Sequence, residues 1–300
     1  MTRRGWILFV AVSLLWGLPY LLIKIAIAEL DPAVIVFARV AMTALLLLPL
    51  AAARGVLELA LARWRAVLLL ATLEIVAPFL LIAHGETHIT SSLAGLLIAA
   101  DPLFIALLAL RVDPGETMHG KQLLGLCIGL LGVVALLGFD IGGDPLGILG
   151  GAMVLLAALS YAGGALLIKR SFSDISPIGS VAASMTVAMV PLAPLALSSL
   201  PTQLPSPAVL VSVLVLGVVC TALGFLAYFS LIAAVGATRS ALITYVNPAV
   251  AVVLGAIVLS EPITIATVLG FALILIGCWL STGPQLPERA SAVSAMREPA

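Results

Sequence analysis

From its first residues the chain runs as long apolar stretches separated by short polar, proline or glycine breaks. The stretches fall near residues 5–23, 33–53, 66–83, 91–110, 121–138, 146–168, 178–198, 209–232, 240–260 and 263–281. Each is continuous and rich in Leu, Ala and Val, without alternation of apolar and polar positions. Stretches of about 20 apolar residues match the thickness of a bilayer as helices, whereas barrel strands alternate over about ten. The pattern predicts an all-α membrane protein of about ten transmembrane helices, each satisfying its own backbone in lipid.

Composition sharpens that reading. Hydrophobic residues are 63 % of the 300, charged residues 9 %, and mean hydropathy is +1.28. Soluble domains have roughly 45–50 % and 25 %, so a soluble enzyme and a nucleic-acid binder are both excluded. Cys127, Cys220 and Cys278 sit inside apolar runs without Cys-x-x-Cys spacing. Neither a disulfide framework nor a metal site is expected, nor any cofactor.

Lys+Arg and Asp+Glu number 14 each, so only the placement of charge informs. With the N-terminus inside, Arg3, Arg4, Arg54, Arg63, Arg65, Arg111, Lys121, Lys169, Arg170, Arg239, Arg289 and Arg297 all fall on the cytoplasmic side. Glu29, Asp31, Glu86, Asp140, Asp144 and Glu261 fall on the other. That distribution obeys the positive-inside rule and puts both termini in the cytoplasm. Arg3-Arg4 before an apolar run imitates a signal peptide, but the run is too long and holds Trp16-Gly17-Leu18-Pro19, so it is read as a retained first span.

Leu21-Leu22-Ile23-Lys24 recurs 145 residues later as Leu166-Leu167-Ile168-Lys169. The same offset relates Trp16 to Tyr161, Pro32 to Pro177, Glu116 to Glu261, Gly125 to Gly270 and Gly132 to Gly277; an offset of 146 relates Asp101-Pro102 to Asn247-Pro248. The chain reads as a duplication: residues 1–140 and 141–283 as two five-helix units, then a disordered cytoplasmic tail, 284–300. Five is odd, so the second unit is inverted, the architecture of alternating access about a midplane site.

LLWGLPYLLIK in the first span, FARVAMTALLLLPL in the second, DPLF and NPAV inside the fourth and ninth, and a Glu with G-x6-G spacing before and within the fifth and tenth carry a family resemblance. Together they resemble the drug/metabolite transporter superfamily in its ten-helix EamA-like branch. FLLIAHGETHITSSLAGLL looks like the bacterial YddG-type exporters of aromatic amino acids. The resemblance implies a ten-helix exporter in the bacterial inner membrane, with a cavity between the halves and aromatic or other hydrophobic amino acids as substrates.

Ionisable groups inside spans are functional candidates. Arg39, Glu74 and Asp101 are the coupling or charge-pair candidates: either acid is a possible proton site or a satisfied helix-to-helix contact, and Arg39 is expected to pair with an acid. Lys24 is expected to snorkel to the outer interface. Pro19, Pro102 and Pro248 are expected helix breaks. Trp16, Tyr20, Phe79, Tyr161, Tyr228, Phe229 and Tyr245, with Asp101 and Asn247, are the candidate substrate-binding lining; core packing is the competing role for each aromatic. Gly125, Gly129, Gly163, Gly164, Gly217, Gly224, Gly270 and Gly277 are assigned to close helix packing. His84, Glu86 and His88 are read as solvated loop residues rather than a metal site.

No phosphate-cradling loop exists to couple ATP. The leading function is a secondary exporter of small metabolites, with a small-molecule substrate, a candidate proton, the lipid bilayer and no nucleic acid as partners, acting as a monomer or alternatively a dimer. Efflux of drugs or nucleobase-like compounds is the alternative, and an intramembrane hydrolase a remote one, since no span carries a His at mid-depth.

Overall fold

The computed structural model describes residues 1–112, 120–140, 142–172 and 174–281. Glu116, His119 and the 284–300 tail with Arg289 and Arg297 lie outside the described residues. Ten long helices occur among them: α1 Arg3–Ala26, α2 Pro32–Ala53, α3 Trp64–Gly85, α4 Ser91–Arg111, α5 Lys121–Asp140, α6 Pro145–Ser171, α7 Pro177–Ser198, α8 Pro207–Val235, α9 Ile243–Leu259 and α10 Ile265–Ser281. Eight are long and apolar enough to cross a membrane; α9 and α10 are apolar with 17 residues each. The described residues contain no strand.

The starts of these helices follow from local chemistry. Asp31 accepts from Ala33 N, Thr90 from Leu93 N, and Asp144 from Leu146 N and Gly147 N. Such caps are worth ~1 kcal/mol each. Pro32, Pro145, Pro177 and Pro207 occupy first turns, where a missing N–H has no intrahelical partner to lose.

The proline breaks need correction. Helix α1 continues through Pro19 and α9 through Pro248; a bilayer helix tolerates the lost bond when neighbouring groups re-satisfy the freed carbonyl. Only Asp101-Pro102 marks an interruption: α4 is helical over Ser91–Ile98, turns at Ala99 and Ala100, and resumes at Asp101. Two helices carry wider π turns instead, Thr72–Val76 in α3 and Val215–Leu223 in α8. Neither has a proline inside it.

Glycines set the closest helix approaches. At the α5–α10 interface a Cβ on Gly277 would meet backbone atoms of Gly129, and one on Gly132 would lie 2.8 Å from the Gly270 carbonyl. Backbone cannot yield as a side-chain tip can, so these positions accept nothing larger.

Polar contacts fasten both ends of the bundle. At one end half-buried Lys24 donates through Nζ to the carbonyls of Glu86 (2.5 Å) and Ile89 (2.7 Å). Beside it Glu261, in the α9–α10 connection, accepts from the backbone and hydroxyl groups of both Ser91 and Ser92 at 2.5–3.1 Å. The carboxylate thereby caps the N-terminus of α4 from the other half of the chain, where the helix dipole favours negative charge. Glu29 accepts from Ser206 N at 2.6 Å. At the opposite end Arg63 holds Asp174 through two parallel bonds of 2.9 and 2.6 Å, and this guanidinium keeps the Asp174 carboxyl below its usual range.

Glu86 is not the solvated residue expected. It is fully buried, and neither carboxyl oxygen has a hydrogen-bond partner. His84 and His88 stay exposed, and no metal-ligating cluster occurs among the described residues. Burial pushes the Glu86 carboxyl well above its usual 4.5, against the opposing pull of Lys24 and Arg39.

Gly277→Ala is expected to destabilise the protein by ~1–3 kcal/mol through overpacking, read as a lower Tm in detergent; Gly138→Ala, with open space around it, is expected to leave Tm unchanged or slightly raised. A raised acid holds its proton in the folded state. Its stabilisation is therefore complete below the ordinary pKa and declines as pH rises through the folded value. Between about pH 5 and 9 the Tm of the native sequence is expected to fall more steeply than that of Glu86→Gln.

Candidate functional site

Within α2, two turns from its start, Arg39 is 9 % exposed. Its Nε donates to Thr221 Oγ1 at 2.7 Å, and Thr221 donates onward to the Leu216 carbonyl at 2.7 Å. The π turn of α8 places Thr221 there, so the irregularity in one helix orients a cation on another. The guanidinium carbon lies 3.8 Å from the ring centroid of Phe79 on α3, a cation–π contact that covers one face. The expected acid partner is absent: the ion pair among the described residues is Arg63–Asp174. A charged side chain inside a membrane span is costly, and the hydroxyl and the ring supply part of the compensation.

Glu74 sits inside the π turn of α3 and packs over Gly164 of α6, where any side chain would collide with it. Ser160, one turn earlier on α6, donates to the Leu73 carbonyl at 2.8 Å. Asp101 heads the second half of α4, its Oδ1 enclosed and without a hydrogen-bond partner. The Ala99 carbonyl freed by the interruption accepts from Cys278 Sγ at 3.5 Å.

Two tyrosines share electrostatic surroundings with the cation and the acids. Tyr20 of α1 is within electrostatic reach of Arg39 and Asp101, and Tyr161 of α6 within reach of Arg39, Glu74 and Asp101. Tyr20 also covers Gly95 of α4. Arg39, Phe79, Tyr20, Tyr161, Glu74 and Asp101 thus form one group drawn from α1, α2, α3, α4 and α6.

A second group lies between α1, α8 and α9. Trp16 lies 4.7 Å from Tyr228 with the rings tilted by 44°, and edge-on to Phe225 at 5.6 Å, with Phe229 6.0 Å from Phe225. Tyr228 hydrogen-bonds with Ser240. Asn247, with its amide turned to donate, reaches the carbonyls of Ile243 (3.0 Å) and Ser13 (3.2 Å). Tyr245 is half-buried against the main core.

Two cavities lie at the ends of the bundle, ≈ 540 Å³ beside Arg63 and Arg170 and ≈ 330 Å³ beside Lys24 and Thr267. None of the nine candidate lining residues borders either one.

Sequence reading passed over Thr43, Thr221, Phe225 and the role of Glu261. Thr43 and Thr221 carried a signal, hydroxyls within apolar spans; Phe225 carried only its spacing one turn before Phe229.

Comparison with known proteins gives consistent results. Over 97 % of this chain and 95 % of its own length, the uncharacterised transporter YvbV of Bacillus subtilis is 27 % identical. A protein of Escherichia coli named "Probable amino-acid metabolite efflux pump" is 26 % identical over 94 % of this chain and 95 % of its own. An uncharacterised transporter of Archaeoglobus fulgidus is 25 % identical over 92 % and 98 %. One crystal structure, 19 % identical, shares the fold with a TM-score of 0.66 over 94 % of this chain and 97 % of that one. The model of the EamA-like transporter family matches residues 3–138 and again residues 148–283. Matched across nearly its whole length and built from bilayer-length helices, the chain belongs to the EamA-like transporter family, a family of multi-pass membrane transporters within the drug/metabolite transporter superfamily.

Proposed function

We propose that the protein is a secondary exporter of the bacterial inner membrane that moves aromatic or other hydrophobic amino acids outward by alternating access. Its two halves, residues 1–140 and 141–283, are inverted relative to one another, with both termini cytoplasmic and the Lys24 end outward. The observation that carries this reading is a shared offset. The two family matches begin 145 residues apart, and shifting Thr72–Val76 by the same 145 lands on 217–221, inside the second π turn at Val215–Leu223. Both halves therefore interrupt the same helix at mid-membrane, and π turns concentrate at functional sites. Paired irregular helices near the midplane are the mark of a transport site in inverted-repeat carriers.

The amino-acid substrate class is supported by the name of the Escherichia coli relative and by the aromatic residues Trp16, Tyr20, Phe79, Tyr161, Tyr228, Phe229 and Tyr245 within the spans. Lys24 on the carbonyls after α3, and Glu261 on the start of α4, close the outer end in this conformation. The proton gradient supplies the drive through Asp101, whose enclosed oxygen has no partner, or Glu74 in the π turn. The working unit is the monomer.

Counterflow of labelled phenylalanine in proteoliposomes tests this reading. Transport is expected to accelerate several-fold under an imposed pH gradient, and the acceleration to vanish in Asp101→Asn while surviving in Glu74→Gln. The reverse pattern moves the coupling site to Glu74, and no gradient effect removes proton coupling. Cells overproducing the protein are expected to resist toxic aromatic amino-acid analogues; resistance confined to lipophilic cations overturns the substrate class in favour of drug efflux.

A further inference from the structure

We infer that Arg39 is the anion-binding pole of the transport pocket and that the transported solute bears a carboxylate, which the guanidinium takes through its terminal nitrogens. The inference deepens the export reading above and rests on it. Its ground is the setting of Arg39: a charge inside a bilayer-length helix, 9 % exposed, with no carboxylate within 4 Å among the described residues.

The guanidinium is already held in one orientation. Thr221 fixes Nε at 2.7 Å, and Phe79 covers one face at 3.8 Å. What remains is the edge bearing the two Nη groups, whose fork matches the two oxygens of a carboxylate. A lysine at this position would offer a single point of charge and no fork. Glu86 lies within electrostatic reach of Arg39 but makes no contact with it, and its own oxygens have no hydrogen-bond partner.

The opposite pole is also present. Asp101 Oδ1 is enclosed and without a partner, and Tyr20 and Tyr161 are within reach of both Arg39 and Asp101. A cation and an acid that make no ion pair with one another, both within electrostatic reach of two phenol rings, fit a solute with an anionic end, a cationic end and an apolar side chain. An α-amino acid has those three parts, its carboxylate toward Arg39 and its ammonium toward Asp101.

The test is ligand-induced stabilisation of the purified protein in detergent, titrating phenylalanine against phenylalaninamide and phenethylamine, which keep the ring and the ammonium but lack the carboxylate. The native sequence is expected to be stabilised by phenylalanine at concentrations at least tenfold below those of either carboxylate-free compound. Arg39→Lys is expected to weaken phenylalanine at least tenfold while leaving phenethylamine unchanged, and Arg39→Gln to abolish the preference. Because Arg39→Gln also removes a buried structural contact, Arg39→Lys and the ratio of the two ligands keep the test readable if that variant folds poorly. Equal affinity for phenylalanine and its amide, or an unaltered preference in Arg39→Lys, overturns the assignment while the export of amino acids stands. Stabilisation by phenethylamine or other cations with no response to phenylalanine overturns the amino-acid reading and the carboxylate pole together.

Discussion

The bilayer supplies no water to a backbone group that leaves its helical partner, and this constraint organises the interior of the protein. At the two π turns and at the interruption of α4, a side chain occupies a backbone carbonyl. Ser160 of α6 serves Leu73, Thr43 of α2 serves Gly217, Thr221 serves Leu216 within its own helix, and the Cys278 thiol serves Ala99. A carbonyl left unsatisfied in hydrocarbon costs several kcal/mol, so each irregularity is possible only because of a polar group on a packed element. The interruptions are thereby tied to particular interfaces, α3 to α6, α8 to α2, and α4 to α10. A change in one helix is felt by its partner.

That coupling explains which features were legible in the sequence. The apolar helices and their approximate ends follow from hydropathy and from Asp31-Pro32, Asp144-Pro145 and Ser206-Pro207 at the starts of helices, signals that act within a few residues. The π turns left a fainter trace: TLEIV and VLGVVCTAL contain no proline, and only Gly217 within the second and Pro78 just after the first mark them. They depend on contacts with residues 87 or 174 positions away in the chain, such as Ser160 and Thr43. Proline misled for the complementary reason. At Pro19 and Pro248 the surrounding helices hold the chain in α conformation, and only at Ala99–Ala100, with Asp101 available to head a new helical segment, does the interruption form.

The acids were legible as charges but not as partners. Glu261 stood out in the sequence only as half of a repeat, yet it takes both backbone and hydroxyl donors from Ser91 and Ser92 at the start of α4. Glu86, expected to be hydrated between two histidines, is enclosed instead. The distinction lies in the neighbouring backbone. Four unpaired N–H groups at a helix start attract a carboxylate, and that attraction places Glu261. The Glu86 carboxyl has no such donor, and burial disfavours its charge.

The same reasoning bears on why Arg39 and the midplane acids are not joined. A direct ion pair in this setting would recover part of the desolvation cost of both groups, and the sequence has the residues for one. The fold instead spends Thr221 and Phe79 on the guanidinium and leaves Asp101 Oδ1 empty-handed. Two charges kept apart in a low-dielectric region create a field between them, and a solute carrying matching charges gains from both ends as it enters. A solute with a cation alone satisfies the acid but leaves the guanidinium uncovered. In the proposed pocket, discrimination among apolar compounds of similar size therefore comes from the separation of the two poles, and hydrophobic contact with the tyrosines and Phe79 adds affinity without choosing between them.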